Sequence, residues 1–508
     1  MLQSTGEARE AAAPGSRPFW LTVFGTLLLL LPAIANGYPL LFFDTPAYLT
    51  AGEGILSRVG IVEKVHPAAA PERTAAQPAA AAVSPDGKKD TTGFSDARSI
   101  YYGLLADLGR RIGGLYVTAL FQALWVAAAI VLAMRQTGPR GTKAKLGMIA
   151  AVALLGGAAF GVSVILPDMA GGVLLLGMAL IAAFPDRLSR GEWAFWLISI
   201  VAAISFHKAF FLVAIALFVA SGLVSGRPLW RGRAGLLMGG ALAVSAVLTF
   251  ATEPVVERVT GVATPHVPFL LGRTIEDGTA VALLRKECPH TRWATCAMLP
   301  GMPMTAGEFL WDGTTRNGVH VDGWMARPVA ERSQISAESR ELVKRTVLND
   351  PWAQFRAAVW NAFDQFVSSG VTRYDQSAQM AKVVGAQLPQ ETRHMQAAAF
   401  YQRPAYLAAA SAVMIVFCLG SALLIVAAVI AGRRFKRWSP PITFGAVVLM
   451  GAVLNAAIGG ALVVVVDRYQ GRLAWTMLFA AIAIGCACTA ERRHRPARPA
   501  PGNEAAAA

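Results

Sequence analysis

Charged and protonatable residues occur in short connections between the apolar runs of this 508-residue chain. Asp44, in FFDTPAYL, follows the first apolar run, and Asp168, in VILPDMAGG, separates two later runs. Two further connections contain His207, Lys208, Arg468 and Arg472. Asp44, beside aromatic residues, suits a general base for a hydroxyl group, whereas arginine and lysine suit a phosphate or pyrophosphate. Such a set suits chemistry or anion binding if the fold brings the connections together.

The elements between these connections are those of a membrane protein. The chain is 55% hydrophobic and only 15% charged, which excludes an ordinary soluble domain. A hydrocarbon core roughly 30 Å thick requires about 20 apolar residues per helix, so we predict an all-α polytopic protein of about ten spans. The predicted spans are 19–35, 113–134, 147–166, 169–185, 193–206, 208–225, 234–252, 406–431, 441–465 and 472–489.

The predicted topology explains the net charge of +15, so the charge does not require a nucleic-acid partner. Basic residues cluster in short loops and in the tail, at 135–145, 187–190, 227–233, 433–437 and 492–498. By the positive-inside rule these loops are cytoplasmic, as are the two ends of the chain, 1–18 and 490–508. Asp44, Asp168, His207 and Arg468 then share the extracytoplasmic side. Shared location favours one site over four unrelated helix ends, although Asp168 also suits a cap for the helix after Pro167.

Two segments leave alternatives in this topology. The run 193–225 is long for one span and short for two, and the basic clusters on both sides require an even number of crossings. We therefore predict a tight hairpin at His207-Lys208 and not one tilted helix. The first apolar run, ending in Ala33-Ile34-Ala35, also resembles a cleavable secretory signal, and either interpretation leaves Asp44 outside the cytoplasm.

Two long segments, 36–112 and 253–405, face the extracytoplasmic side in this topology. In the first, the Ala- and Pro-rich stretch at about 65–95 predicts a disordered insertion. The second, between spans seven and eight, predicts a mainly helical domain with helices at 336–348 and 351–368. The helix 351–368 carries an aromatic stripe suited to core or membrane-interface packing. This domain also contains Cys288 and Cys296, for which we favour a disulfide over two free thiols.

The sequence GEFLWDG in the second segment combines acids with aromatic residues. Glu308 and Asp312 flank Trp311, a pattern that suits sugar stacking and hydroxyl binding. The same pattern describes an interfacial loop that rests on lipid with its acids in water. We assign acceptor binding to Tyr48, Glu308, Trp311 and Asp312 as a hypothesis.

The first outer loop resembles that of the C-type, multi-spanning glycosyltransferase superfamily, in which an Asp follows the first span and a second acid follows the third. Members of that superfamily use polyprenyl-phosphate-linked sugars at the outer membrane face. The resemblance implies that Asp44, in FFDTPAYL, activates the acceptor, and that Asp168, in LPDMAGG, orients the acceptor or contacts a metal. His207, Lys208, Arg468 and Arg472 become candidates for the donor phosphate by location.

The chain also looks like a set of bacterial membrane proteins without an assigned activity. They share patterns that occur here at Asn36 to Tyr48, Pro167-Asp168, Phe206-His207, Glu308 to Asp312 and Asp467 to Arg472. This second resemblance covers most of the chain and carries no chemistry. It implies a location in the bacterial inner membrane.

We expect no cofactor. The superfamily often has paired acids in both loops, whereas Thr45 follows Asp44 and Met169 follows Asp168. One or two carboxylates would leave a divalent cation with few protein ligands. The expected partners are a polyprenyl-phosphate-linked sugar, membrane lipid and a glycan, lipid or protein acceptor. The sequence also leaves open a flippase for lipid-linked saccharides. The middles of the spans are nearly free of charge, with Asn455 a lone polar exception, which argues against ion-coupled transport. A third alternative is an acyl- or phosphotransferase that uses His207.

Overall fold

The computed structural model describes residues 16–58, 60, 98–225, 230–260 and 265–493. The α-helices are α1 (Ser16–Leu29), α2 (Leu31–Asn36), α3 (Thr45–Arg58), α4 (Ile100–Gly113), α5 (Leu115–Thr137), α6 (Thr142–Ala150), α7 (Ala158–Ser163), α8 (Met169–Ala183), α9 (Arg190–Phe206), α10 (Ala209–Ser225), α11 (Gly232–Thr260), α12 (Phe269–Glu276), α13 (Thr279–Glu287), α14 (Val329–Asn349), α15 (Pro351–Val367), α16 (Ala378–Gly385), α17 (Pro389–Ala397), α18 (Ala399–Gln402), α19 (Ala405–Arg434), α20 (Pro440–Leu462) and α21 (Asp467–Arg493). Strands β1 (Thr314–Arg316) and β2 (Val319–Val321) pair antiparallel, with Thr315 opposite His320. The predicted insertion at 65–95 and most of both predicted cytoplasmic ends lie outside the described residues.

Six helical stretches of the described chain are long and apolar enough to cross a membrane. They are Pro18–Asn36, Leu115–Thr137, Gly232–Thr252, Ala405–Arg434, Pro440–Leu462 and Asp467–Ala490. Two shorter apolar helices, Met169–Ala183 and Ala209–Gly222, lie among them. Large apolar side chains on these helices, such as Leu236 and Leu423, point away from the protein, which water would not favour. The chain is therefore an all-α membrane protein, as predicted.

The prediction of one regular helix over 147–166 is wrong. α6 passes into a π-helical turn at Ala151–Leu155, and the chain breaks at Gly156 and Gly157 before α7. Gly157 has a φ of +79°, and a Cβ atom there would lie 2.2 Å from the Met414 methyl carbon. A side chain would be strained at this φ, which glycine adopts readily. The helix therefore ends at a glycine in the left-handed region, packed against Met414 of α19.

Two other span boundaries bear on the site. α9 ends at Phe206 and α10 begins at Ala209, so the predicted break at His207-Lys208 is confirmed and one continuous helix is excluded. The last helix begins at Asp467, five residues before the predicted start at 472. Arg468 and Arg472 therefore lie on the first turns of α21, one turn apart, and not in a preceding loop.

The described ends of the first outer loop form a closely packed pair, α3 and α4. A Cβ atom on Gly52 would lie 2.2 Å from the carbonyl oxygen of Gly103, so the two backbones touch where neither helix carries a side chain. This contact is possible only with glycine at both positions. The pair fixes the segments that precede the two helices, which contain Asp44 and Arg98.

A second hydrophobic cluster lies within 265–343, apart from the main membrane core. It contains Leu271, Ile275, Leu284, Met298, Phe309, Trp324, Ile335 and Leu342. The predicted helices at 336–348 and 351–368 correspond to α14 and α15. The predicted disulfide between Cys288 and Cys296 is present beside this cluster.

Candidate functional site

Two short segments outside the helices, 39–44 and 164–168, place the two predicted acids side by side. Leu40 and Val164 form a parallel bridge: the Leu40 N–H donates to the Ser163 carbonyl at 2.9 Å, and the Ile165 N–H donates to the Leu40 carbonyl at 3.0 Å. Asp44 and Asp168 each follow their bridged residue by four positions. Because the segments run in the same direction, both carboxylates arrive at the same end of the bridge.

Asp168 is a buried ion-pair partner, with 1% of its side chain exposed. Its carboxylate lies 2.9 Å from Nη1 of Arg468 and 3.4 Å from Nη1 of Arg472, and the Tyr374 hydroxyl lies 3.5 Å away. It makes no side-chain cap to α8, which excludes the alternative of a simple helix cap. Burial raises the pKa of Asp168, but Arg468 and Arg472 together hold it below its ordinary value. The carboxylate is therefore ionised at pH 7.

Asp44 shares one arginine with Asp168 but is more accessible. Its carboxylate pairs with Arg98, and its other oxygen lies 3.7 Å from Nη2 of Arg468. Its side chain is 17% exposed. The carboxylate thus contacts guanidinium groups, where the sequence indicated aromatic surroundings. We call Asp44, Arg98, Asp168, Arg468 and Arg472 the arginine–aspartate cluster.

Aromatic rings flank both arginines of α21. The Arg468 guanidinium lies 4.5 Å from the Phe42 ring centroid, and that of Arg472 lies 4.5 Å from the Phe210 ring centroid. These distances are typical of cation–π contacts, which fix the planes of the guanidinium groups. Arg472 also donates from Nη2 to the Asn455 side-chain oxygen at 3.0 Å. Within the described chain, its buried Nε has no hydrogen-bond partner.

The connection between α9 and α10 also reaches the cluster. The His207 ring lies 5.0 Å from the Phe210 ring, and its Nδ1 accepts the Ala209 N–H at 3.3 Å. Burial, with Arg472 as the next cause, lowers the pKa of His207 to about 3. The ring is therefore neutral at pH 7 and adds no positive charge. Lys208 is half-buried at the same helix end.

Among the described residues, the ion pairs of the cluster join three arginines to two aspartates. Phe210 and Asn455, which both contact Arg472, also line a small apolar cavity with room for about one water molecule. Leucine side chains form much of the remaining cavity lining. Guanidinium groups held at the ends of membrane helices suit the binding of an anionic group.

Of the four predicted acceptor-binding residues, Tyr48 lies beside the cluster and the other three lie elsewhere. The Tyr48 N–H donates to the Asp44 carbonyl at 3.2 Å. Tyr48 is buried and packs edge-on against Tyr102, with ring centroids 5.1 Å apart. Glu308 accepts the Thr305 N–H at 2.7 Å and the Thr314 hydroxyl at 3.1 Å, and the Trp311 ring packs against Phe269.

Asp312 is exposed at the end of the same π-helical turn, Glu308–Asp312. In the described part of the chain, no hydrogen bond or ion pair joins Glu308, Trp311 or Asp312 to the arginine–aspartate cluster.

Three contributors to the site were missed as site residues. Arg98 lies 54 residues from Asp44 and has no local pattern that marks it. Tyr374 follows α15 on a connection held to the start of α21, where the Gly370 N–H donates to the Asp467 carbonyl at 3.2 Å. Asn455 did carry a signal, because it is a polar residue in the middle of an apolar span. Such a residue in a membrane indicates a buried polar partner, here Arg472.

Among the described residues, no group of three or more His, Cys, Asp or Glu side chains lies close enough to hold a metal ion. Comparisons with protein-family models, with curated proteins and with solved structures found no match. The resemblance to C-type glycosyltransferases therefore stays a prediction. We therefore infer function from the arginine–aspartate cluster.

Proposed function

We propose that the protein is an integral membrane glycosyltransferase that moves a sugar from a polyprenyl-phosphate donor to an acceptor hydroxyl. The observation that carries this proposal is the convergence of Asp44 and Asp168 with three arginines at the ends of membrane helices. The guanidinium groups suit the donor phosphate, and the apolar surfaces of the surrounding helices suit contact with its lipid. Asp44 is the more exposed of the two carboxylates and is the one an acceptor can reach.

In this mechanism Asp44 takes the proton of the acceptor hydroxyl while the acceptor oxygen bonds to the anomeric carbon of the sugar. The bond between that carbon and the phosphate oxygen breaks, and its electron pair leaves with the polyprenyl phosphate. Arg468 and Arg472 stabilise the departing phosphate. Asp168 pairs with both guanidinium groups, so we assign it to positioning Arg468 and Arg472. One displacement inverts the anomeric centre.

The proposed topology has about ten spans, with both ends cytoplasmic in a bacterial inner membrane. The basic residues Arg135 and Arg433 lie in the last turns of α5 and α19, at the ends away from the cluster. Their position supports an extracytoplasmic site. The segment 253–405 then faces the same compartment, where a glycan, lipid or protein acceptor is available.

Transfer by the purified protein tests the proposal. The protein is reconstituted in proteoliposomes with a panel of radiolabelled polyprenyl-phosphate monosaccharides and an extract of envelope glycans and lipids. We expect covalent transfer of label by the wild type and by Asp322→Asn, whose exposed carboxylate contacts His320. Asp44→Asn should lose transfer. Movement of the labelled lipid across the bilayer without transfer would contradict the proposal and favour a flippase.

A further inference from the structure

Helix α15 has the reverse polarity of an ordinary surface helix. Its buried positions include the amide side chains of Gln354, Asn361 and Gln365. Five of its large apolar side chains are each more than half exposed and form a stripe, namely Trp352, Phe355, Val359, Trp360 and Phe363, whereas Phe366 packs against the membrane core. A helix in water buries its apolar face, so this stripe requires a neighbour other than water.

The inward polar face is held by a specific network. Asn361 and Gln354 donate to the two carboxylate oxygens of Asp277, at 2.9 and 3.2 Å. Asp277 also pairs with Arg273 at 2.8 Å and is 3% exposed. Turning the apolar stripe inward would leave the buried Asp277 carboxylate without its two amide donors, which carries the penalty of unsatisfied buried polar atoms. The outward direction of the stripe is therefore fixed by the fold.

The position of α15 indicates what the stripe contacts. A Cβ atom on Gly460 would lie 2.3 Å from the Asn361 carbonyl oxygen, so α15 touches the backbone of α20 two residues before that helix ends. The Gln365 amide donates to the Val466 carbonyl at 2.8 Å and accepts the Val466 N–H at 2.9 Å. Val466 is the residue before α21. α15 thus lies against the ends of two membrane spans.

We propose that α15 lies in the interface between membrane and water, with its apolar stripe in contact with lipid at the boundary of headgroups and acyl chains. Tryptophan is favoured at this depth because its ring is apolar and its N–H is polar. Arg356, exposed on the same helix, can reach lipid phosphates while its stem lies along the stripe. This assignment does not depend on the proposed transferase activity.

Collision accessibility of a spin label tests the assignment in the full-length protein. Cys418, Cys486 and Cys488 are replaced by alanine, the disulfide is kept, and a nitroxide is attached through Phe355→Cys or, separately, Phe363→Cys. A matched control uses Lys344→Cys on α14, where the side chain is 67% exposed. The protein is reconstituted in vesicles of phosphatidylethanolamine and phosphatidylglycerol.

We expect oxygen, which concentrates in lipid, to reach the labels at 355 and 363 more readily than a water-soluble nickel complex does. The label at 344 should show the opposite preference. A preference for the nickel complex at 355 and 363 would overturn the proposal. Shielding of both positions from both reagents would also overturn it, because it would indicate a contact between two copies of the chain.

Discussion

Asp44 and Glu308 both stand beside aromatic residues in the sequence, and the structure gives them opposite surroundings. Asp44 pairs with Arg98, 54 residues away, and with Arg468 of the last helix. Glu308 accepts the N–H of Thr305, three residues away, and that bond holds the pKa of Glu308 below its ordinary value. A local pattern of acid and aromatic residues does not separate the two cases. The distance along the chain to the partner does separate them.

The surroundings of Asp44 and of Glu308 also differ in their effect on the stability of the fold. Ionic groups at the ends of membrane helices lose hydration, and ion pairing only partly offsets that loss. The arginine–aspartate cluster keeps five such groups together, which indicates a role beyond stability. Glu308 stabilises its own turn from the surface of the second hydrophobic cluster, as many helix-terminal acids do.

The largest expected effect is on activity at Asp44. Asp44→Asn removes the proposed proton acceptor, so transfer should fall by about 10²- to 10⁴-fold, as for the loss of a general base. Glu308→Gln keeps the shape of a side chain that lies outside the cluster and should leave transfer near the wild-type rate. The measurement is the initial rate of label transfer in proteoliposomes. Equal losses in both variants would remove the distinction between the two acids.

The next effect is on stability at Arg468, which pairs with both carboxylates of the cluster. Arg468→Met leaves Asp168 buried with one guanidinium fewer, and we expect a loss of about 3–5 kcal/mol. Arg345, which pairs with Glu287 and Glu341 on the surface, provides the control: Arg345→Met should destabilise the protein far less, because solvent screens these pairs. Unfolding in detergent measures both. Similar losses would mean that the cluster is an ordinary surface network.

A smaller loss is expected at Asn455, which accepts the hydrogen bond from Arg472 and donates to the Tyr469 carbonyl at 2.8 Å. Asn455→Leu keeps the volume but leaves a buried guanidinium short of an acceptor, at a cost of about 1.5–3 kcal/mol. The same unfolding measurement checks this value. A variant as stable as the wild type would show that Arg472 does not need this contact.

The smallest effect is expected at Glu308. Glu308→Ala removes the acceptor for the Thr305 N–H and the Thr314 hydroxyl, and a lost cap of this kind costs about 1 kcal/mol. The loss should appear in the unfolding of the protein while transfer per folded molecule stays constant. A loss of transfer at full stability would instead place Glu308 in the acceptor site.

Much of the fold and part of the site followed from the sequence because both depend on regular signals. Apolar length predicted the six clear spans, and the basic loops predicted that Asp44, Asp168 and Arg468 share one side. The break at Gly157 did not follow, because glycine is also common inside membrane helices and its presence alone does not indicate a positive φ. Arg98 did not follow either, because its role depends on the contact between α3 and α4.

The aromatic stripe of α15 is a second feature that the sequence predicted only in part. Helical spacing predicted that Trp352, Phe355 and Phe363 share one face, but periodicity does not tell which face points inward. The direction depends on Asp277, a buried carboxylate directly after α12. It accepts hydrogen bonds from the Gln354 and Asn361 amides, which lie on the opposite face of α15. Long-range polar contacts thus decide both the site and the orientation of this helix.

The most direct test of the central claim, that the arginine–aspartate cluster receives a lipid phosphate, is the binding of polyprenyl phosphate compared with polyprenol. The two lipids share the chain and differ in the phosphate. Binding to the protein in nanodiscs should favour polyprenyl phosphate, and Arg472→Gln should remove that preference while a folded control, Arg345→Gln, keeps it. Equal binding of both lipids to the wild type, or an unchanged preference in Arg472→Gln, would contradict the account.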